Sequence, residues 1–275
     1  MTVIAMTREM GTLGKDVAAG VAERLGIEVV HHELVERQLA ERLETTESAV
    51  HRFLEGEASM WERWKIDSKK LSRFTAVDIL ELATRGNVLI RGWGAALLLR
   101  DVPLVICVRF CAPMSNRIDE MRRRLKLDRA DLALREIERS DNAHARTVQR
   151  QFQTDWTDPT GYDLVINTGF VPIETGVAIL QQLAKSGAYE PTESSRAQLQ
   201  DKLLEAQVQT IVDEHASDSP TGTSVGVRVA DGNVVLDGAV GGGDSIRRAI
   251  SEIENIDGVT SVTNETVSVP WGYGP

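Results

Sequence analysis

Short, unbroken apolar runs alternate with stretches of helical spacing along the first two thirds of the chain. Val3-Ile-Ala-Met6 reads as a buried strand at the start. After the turn Gly11-Thr-Leu-Gly14, the residues Val17, Val21, Ala22 and Leu25 recur at helical spacing until Gly26 stops the helix. Val29-Val30 predicts a brief second strand, and the pattern from Leu34 to about Glu81 is mainly helical and rich in charge. Val88-Leu-Ile90 and Val105-Ile-Cys-Val108 are again strands of the buried type. Two arginine-dense helices over 113–125 and 129–150 follow, then a strand over Tyr162-Asp-Leu-Val-Ile166 and a helix over 174–185. Apolar strands alternating with helices predict a parallel sheet covered on both faces, a three-layer α/β domain. Ligands on such sheets sit beyond the carboxyl ends of the strands, so the strand-to-helix turns are where chemistry is sought.

The texture changes after residue 185. Residues 186–196 form a polar stretch bearing Pro, Gly and Ser, expected as a linker. A helix over 197–215 leads to Val225-Gly-Val-Arg-Val229, which alternates with period two. Asp231-Gly232 is a hairpin turn signal, with Val234-Val-Leu236 as the returning strand. A helix over 244–255 and a strand from Val259 to Val269 complete an α-β-β-α-β order. The expected division is therefore 1–185, 186–196 and 197–270.

Charge supports this division. The chain carries a formal −10, yet residues 186–275 hold 14 acidic against 5 basic side chains, which places −9 of it there. Such a balance disfavours a nucleic-acid partner, whose phosphates need a net basic face. A small phosphorylated ligand needs only a few well-placed cations. Cys107 and Cys111 have no metal-type spacing to other ligands and are expected as free thiols in a reducing compartment. The first residues lack a signal-peptide pattern and no run reaches the ~20 apolar residues that span a bilayer, so the chain reads as cytoplasmic.

The turn between the first strand and the first helix carries the main chemical signal. Backbone N–H groups at a helix N-terminus are unpaired and form an anion site, and glycines let the chain approach phosphate oxygens. Gly11, Thr12, Leu13, Gly14, Lys15, Asp16 and Val17 are the candidate phosphate-binding residues, with Lys15 reaching the β- and γ-phosphates. The pattern G-x-x-x-x-G-K-[S/T] is partly met: Glu9 occupies the first glycine position and Asp16 the hydroxyl position. Asp16 is the candidate Mg²⁺ ligand, or its charge repels the nucleotide. A tight connection without a ligand is the plainer alternative for the turn.

These residues resemble the opening of the cytidylate kinase-like family, which reads I-S-R-E-F/Y-G-S-G-G-R-E-I-A where this chain has Ile4-Ala-Met-Thr-Arg-Glu-Met-Gly-Thr-Leu-Gly-Lys-Asp-Val-Ala18. The resemblance extends through Ala22-Glu-Arg-Leu-Gly26, His32-Glu-Leu-Val35, Val88-Leu-Ile-Arg-Gly92, Ala112-Pro113 and Tyr162-Asp-Leu-Val-Ile-Asn-Thr168. It implies a P-loop domain of the nucleoside-monophosphate-kinase type with a helical lid, using ATP and Mg²⁺ on a nucleoside monophosphate, CMP foremost. Phosphoryl transfer rests on positioning and charge neutralisation, for which arginines are suited. Glu136-Ile-Glu-Arg139 and Arg146 resemble the family's lid, with Arg139 and Arg146 seven apart on one face, Arg150 a turn on, and His144 replacing a frequent arginine. A solvated helix with Arg/Glu pairs is the alternative there, and it is the reading adopted for Arg122-Arg-Arg124. Where the family binds the monophosphate with an arginine after glycine, this chain has Arg91-Gly92-Trp93. Either Arg91 substitutes, or Trp93 stacks on a base or packs. Asp163 matches an aspartate near the monophosphate site, its alternative being capping or pairing with a lid arginine. His31 and His32 are expected as loop histidines.

Residues 197–269 resemble a BON domain, carried by Val225 to Val240 and Ile256-Asp-Gly-Val-Thr-Ser-Val-Thr-Asn264. Such domains bind phospholipid or other partners. The charge of −9 over residues 186–275 opposes an anionic bilayer, leaving a protein partner as the expectation. Three readings remain: a monophosphate kinase, a nucleotide-binding regulator with weak turnover whose output is the BON-like module, or a purely structural α/β protein in which the glycine turn and the lid arginines are coincidental.

Overall fold

The computed structural model describes residues 1–30, 39–41, 45–54, 68–92, 94–216, 224–240 and 243–268. His31, His32, Trp93 and much of the expected helical stretch over 34–81 lie outside them. The chain forms two compact units, Met1–Thr192 and Glu193–Pro275.

The first unit is built on five strands: β1 (Val3–Arg8), β2 (Glu28–Val30), β3 (Val88–Arg91), β4 (Val105–Cys111) and β5 (Leu164–Asn167). All pair in parallel, in the order β2-β3-β1-β4-β5. Helices cross between them: α1 (Gly14–Leu25), α2 (Glu47–Leu54), α3 (Ser68–Arg85), the short α4 (Ala95–Leu98), α5 (Met114–Leu125), α6 (Ala130–Phe152) and α7 (Ile173–Ala184). This is the α/β fold the alternating pattern predicts. The continuous apolar strands lie between two helical layers. Ile4, Met6, Ile106, Val108 and Phe110 meet Val17 and Val21 of α1 and Val177 of α7 in one core.

Two glycines fix the β1–α1 turn. At Gly11, φ is +80°, and a Cβ there would stand 2.6 Å from the Arg117 carbonyl oxygen. At Gly14 a Cβ would stand 2.8 Å from the Phe110 ring, so glycine lets the start of α1 close on β4.

The second unit opens with α8 (Glu193–Ala216), which starts four residues before the helix expected at 197. The sequence after Pro191-Thr192 contains no breaker and places Glu193 in the first turn, so the helical hydrogen bonding extends back to that point. Strands β6 (Ser224–Ala230) and β7 (Asn233–Val240) form the expected hairpin. Asp231 and Gly232 both have positive φ, and the Asp201 carboxylate accepts their N–H groups at 2.8 and 3.0 Å. After α9 (Gly243–Ile253), β8 (Ser261–Ser268) pairs with β7 in parallel, giving the order β6-β7-β8. Val208, Val212, Val234, Leu236 and Ile253 form its aliphatic core.

Candidate functional site

The residues from Glu9 to Leu13 carry the chain from β1 into α1. The Thr12 hydroxyl donates to the Glu9 carbonyl at 2.8 Å, and the Leu13 N–H donates to Thr168 Oγ1 at 3.2 Å, tying the turn to the end of β5. The N–H groups of Asp16 and Val17 turn back onto the Leu13 carbonyl. Among the described residues those of Gly14 and Lys15 have no main-chain acceptor, and Lys15 itself is exposed. Open N–H groups beside a free ammonium are suited to phosphate oxygens.

Glu9 does not face that space. Its Oε1 accepts from Arg109 Nη2 at 2.5 Å, while Oε2 accepts the Ala112 N–H at 3.3 Å and lies 3.4 Å from Arg117 Nη1. The carboxylate at the family's loop position is thus neutralised by two buried arginines. Asp16 is exposed and accepts from Arg124 Nη2 at 3.1 Å, and the same nitrogen donates to the Thr12 carbonyl at 3.3 Å. Arg124 therefore docks on the turn. The solvated-face reading of the 122–124 run fails at this residue, because its reach across from α5 is a tertiary contact.

A cavity of about 150 Å³ lies beyond the carboxyl ends of β1 and β3, under α6. Its wall includes Arg8, Met10, Arg91, Asp141, His144 and Gln151, with Trp156 also lining it. Asp141, the carboxylate on this wall, is held by Arg117 Nη2 at 2.8 and 2.7 Å. Arg109 lies 5.4 Å from the Trp156 ring centroid. His144 Nε2 is 3.3 Å from Thr7 Oγ1, and its ring meets Trp156 edge-on at 4.4 Å. Burial, then the charges of Arg109 and Arg8, push the His144 pKa down to about 4, so the imidazole is neutral at pH 7. Among the described lining residues Arg8 and Arg91 are cationic and the Asp141 carboxylate is held by Arg117, a balance that suits an anion.

Of the residues singled out from sequence, Arg91 is buried in this wall. Arg139, Arg146 and Arg150 do share a face of α6, as their spacing predicts, but all three are exposed, and Arg139 pairs with Glu136 at 2.9 Å. The cavity is lined from a different face of α6, by Ser140, His144, Thr147 and Gln151, roughly a third of a helical turn away. Asp163 is not at the cavity either. It precedes β5 at the amino end of the sheet, where Oδ2 accepts the Cys107 N–H at 2.7 Å and its own N–H donates to the Cys107 carbonyl. Its carboxylate continues the β4–β5 ladder one residue past the register, the capping alternative. Trp93 lies outside the described residues.

Sequence reasoning missed Arg8, Arg109, Arg117, Arg124 and the polar stripe on α6. The stripe had a readable signal, since positions 140, 144, 147 and 151 repeat at helical spacing.

Among known proteins, the family model described as the cytidylate kinase-like family matches residues 3–169, and that of the BON domain matches residues 200–270. No curated protein matches the chain. An uncharacterized protein from Eubacterium ventriosum is similar at 21% identity and a TM-score of 0.53, over 66% of this chain and 97% of that one, and shares its fold. Shikimate kinases from Bacteroides thetaiotaomicron (15% identity, TM-score 0.42, 67% and 99% covered) and Acinetobacter baumannii (16%, 0.37, 66% and 93%) are more distant.

Proposed function

The chain belongs to the cytidylate kinase-like family, and from that premise we propose that residues 1–185 transfer a phosphoryl group from ATP to a nucleoside monophosphate, with CMP the first candidate. The observation that carries this reading is the arginine-lined cavity at the ends of β1 and β3, which shares Met10 with the turn bearing Lys15. Lys15 and the N–H groups of Gly14 and Lys15 hold the donor phosphates. Arg91 and Arg8 hold the acceptor phosphate, with His144 beside them as a neutral group. This assigns charge neutralisation to the cavity wall rather than to Arg139 and Arg146.

Asp16 fits a single-carboxylate role towards Mg²⁺, which takes one or two carboxylates together with phosphate oxygens and water. It is exposed on the first turn of α1, and Arg124 is the group it would exchange. Among the described residues no cluster of three or more His, Cys, Asp or Glu could hold a metal. When bound, the ion neutralises charge on the transferring group.

The test is a coupled assay with ATP, Mg²⁺ and a panel of nucleoside monophosphates. Lys15→Ala is expected to lower turnover by about 10²–10³, the usual cost of removing one preorganised charge-stabilising donor. Turnover unchanged in that variant removes the role assigned to Lys15. The second reading, a nucleotide-binding regulator, draws on Asp16, which stands at the hydroxyl position and is already paired with Arg124. Tight ATP binding with no diphosphate formed from any monophosphate would favour it. In either case residues 197–270 offer an acidic BON domain to a protein partner. No helix among the described residues is long and apolar enough to cross a membrane. A cytoplasmic setting suits an ATP-dependent reaction.

A further inference from the structure

Arg117 occupies an unusual position between the two halves of the site. It lies in the first turns of α5, with its side chain only 5% exposed. Nε donates to the Met10 carbonyl at 2.6 Å, Nη2 donates to both Asp141 oxygens, and Nη1 stands 3.4 Å from Glu9 Oε2. Its own carbonyl fills the space beside Gly11 that a Cβ would need. One residue therefore touches Glu9, Met10 and Gly11 of the phosphate turn and Asp141 of α6.

We infer that Arg117 is a positioning residue that couples the phosphate turn to helix α6, so that donor phosphate on the turn sets the wall receiving the acceptor. The inference rests on the kinase reading for the identity of the two ligands. Its physical basis is the rigidity of the guanidinium. The fork is planar, so a displacement of the Met10 carbonyl rotates the same plane that grips Asp141 on both oxygens. A buried charge cannot let go of its partner without severe desolvation cost, so the pair moves together rather than parting. Met10 and Asp141 both line the cavity, and Ser140 and His144 flank Asp141 on the α6 wall. A second strand of contacts runs the same way: Glu9 holds Arg109, and Arg109 lies over Trp156, against which His144 packs. Arg117 touches no reacting atom, since its donors are spent on protein acceptors.

Hydrogen exchange of the full chain, with and without ATP–Mg²⁺ and with no acceptor present, tests this. In the native protein ATP–Mg²⁺ is expected to slow exchange in residues 9–17 and also in residues 140–151. In Asp141→Asn the protection of 9–17 persists while that of 140–151 weakens about fivefold or more, the scale of a modest coupling. Asp141→Asn leaves Arg117 with Glu9 and the Met10 carbonyl, so no buried charge is abandoned, and thermal unfolding run alongside checks the fold. Arg117→Lys, which keeps the charge but not the fork, is expected to act in the same direction. Protection confined to 9–17 in the native protein, or protection of 140–151 in both variants as strong as in the native protein, overturns the coupling and leaves the kinase reading standing. Absence of protection anywhere in the native protein removes both.

Discussion

The two units bury their charges differently. Among the described residues every buried charged side chain, namely Asp78, Arg91, Arg109 and Arg117, belongs to the first unit. In the second unit the ion pairs are at the surface: Arg228 bridges Asp237 and Glu265 while 67% exposed, and Arg247 pairs with Asp244 while 75% exposed. The second unit is held by an aliphatic core, and none of its described charged residues is buried. Buried charge in the first unit is therefore more than a requirement of folding. Arg91 and Arg109 are at the carboxyl ends of β3 and β4, Arg117 lies beside the phosphate turn, and desolvated charge at such a place is characteristic of a ligand site.

The largest test of this contrast removes one cation from each unit. Arg117→Ala leaves Glu9 and Asp141 with uncompensated charge and is expected to cost about 3–5 kcal/mol, as breaking a buried pair usually does. Arg228→Ala removes an exposed bridge and is expected to cost under about 1 kcal/mol. Denaturant unfolding, with each unit's transition followed separately, measures both. Equal costs would mean that the burial of Arg117 has no energetic counterpart, and the contrast between units would fall.

A smaller effect sharpens the contrast through pH. His144 titrates at about 4 in the fold against an ordinary 6.5. A histidine with a depressed pKa is favoured neutral, so its contribution is complete above about pH 6.5 and is lost as pH falls towards 4. At roughly 1.4 kcal/mol per pKa unit, the loss reaches at most about 3 kcal/mol. The difference in stability between the native protein and His144→Gln, followed from pH 7 to 4.5, reads it without interference from the carboxylates common to both. Parallel pH profiles would show that the ring is not desolvated against Trp156 and the arginines.

These charges also mark the limit of what the sequence discloses. β1, β3 and β4 are legible because a strand covered on both faces must be continuously apolar, and Val3–Met6, Val88–Ile90 and Val105–Val108 are. Lys15 is legible because local order, strand then glycine turn then helix, determines where it stands. Arg109 and Arg117 are not, since their partners lie 100 residues away at Glu9 and 24 residues away at Asp141, and no local pattern announces a pair closed by the fold. Spacing places the arginines of α6 on one face of the helix, but spacing alone does not say which face meets the sheet. His144 and Gln151 show that the polar stripe beside the apolar residues Ile137 and Val148 is the inner one.

The smallest predicted effect concerns Asp163, and it separates two kinds of polar contact within the first unit. In a parallel sheet the residue preceding a strand lies at the end opposite the ligand crevice. β5 begins at Leu164, which pairs with Val108, so Asp163 is level with Cys107 at the amino end. Its charge also acts on Tyr189, whose hydroxyl pKa is raised by burial first and by this aspartate second. Asp163 itself is exposed, so water can replace it on the Cys107 N–H once it is removed. Asp163→Ala is therefore expected to cost about 1 kcal/mol, the net worth of an ordinary hydrogen bond. Asp163→Asn, which keeps an acceptor oxygen, should cost less. Phosphoryl transfer to the monophosphate, assayed well below the unfolding temperature, should stay within about twofold of the native rate in both. A tenfold fall at full folding would place Asp163 in contact with the acceptor after all, and with it the charge that matters would no longer be confined to the carboxyl ends of the strands.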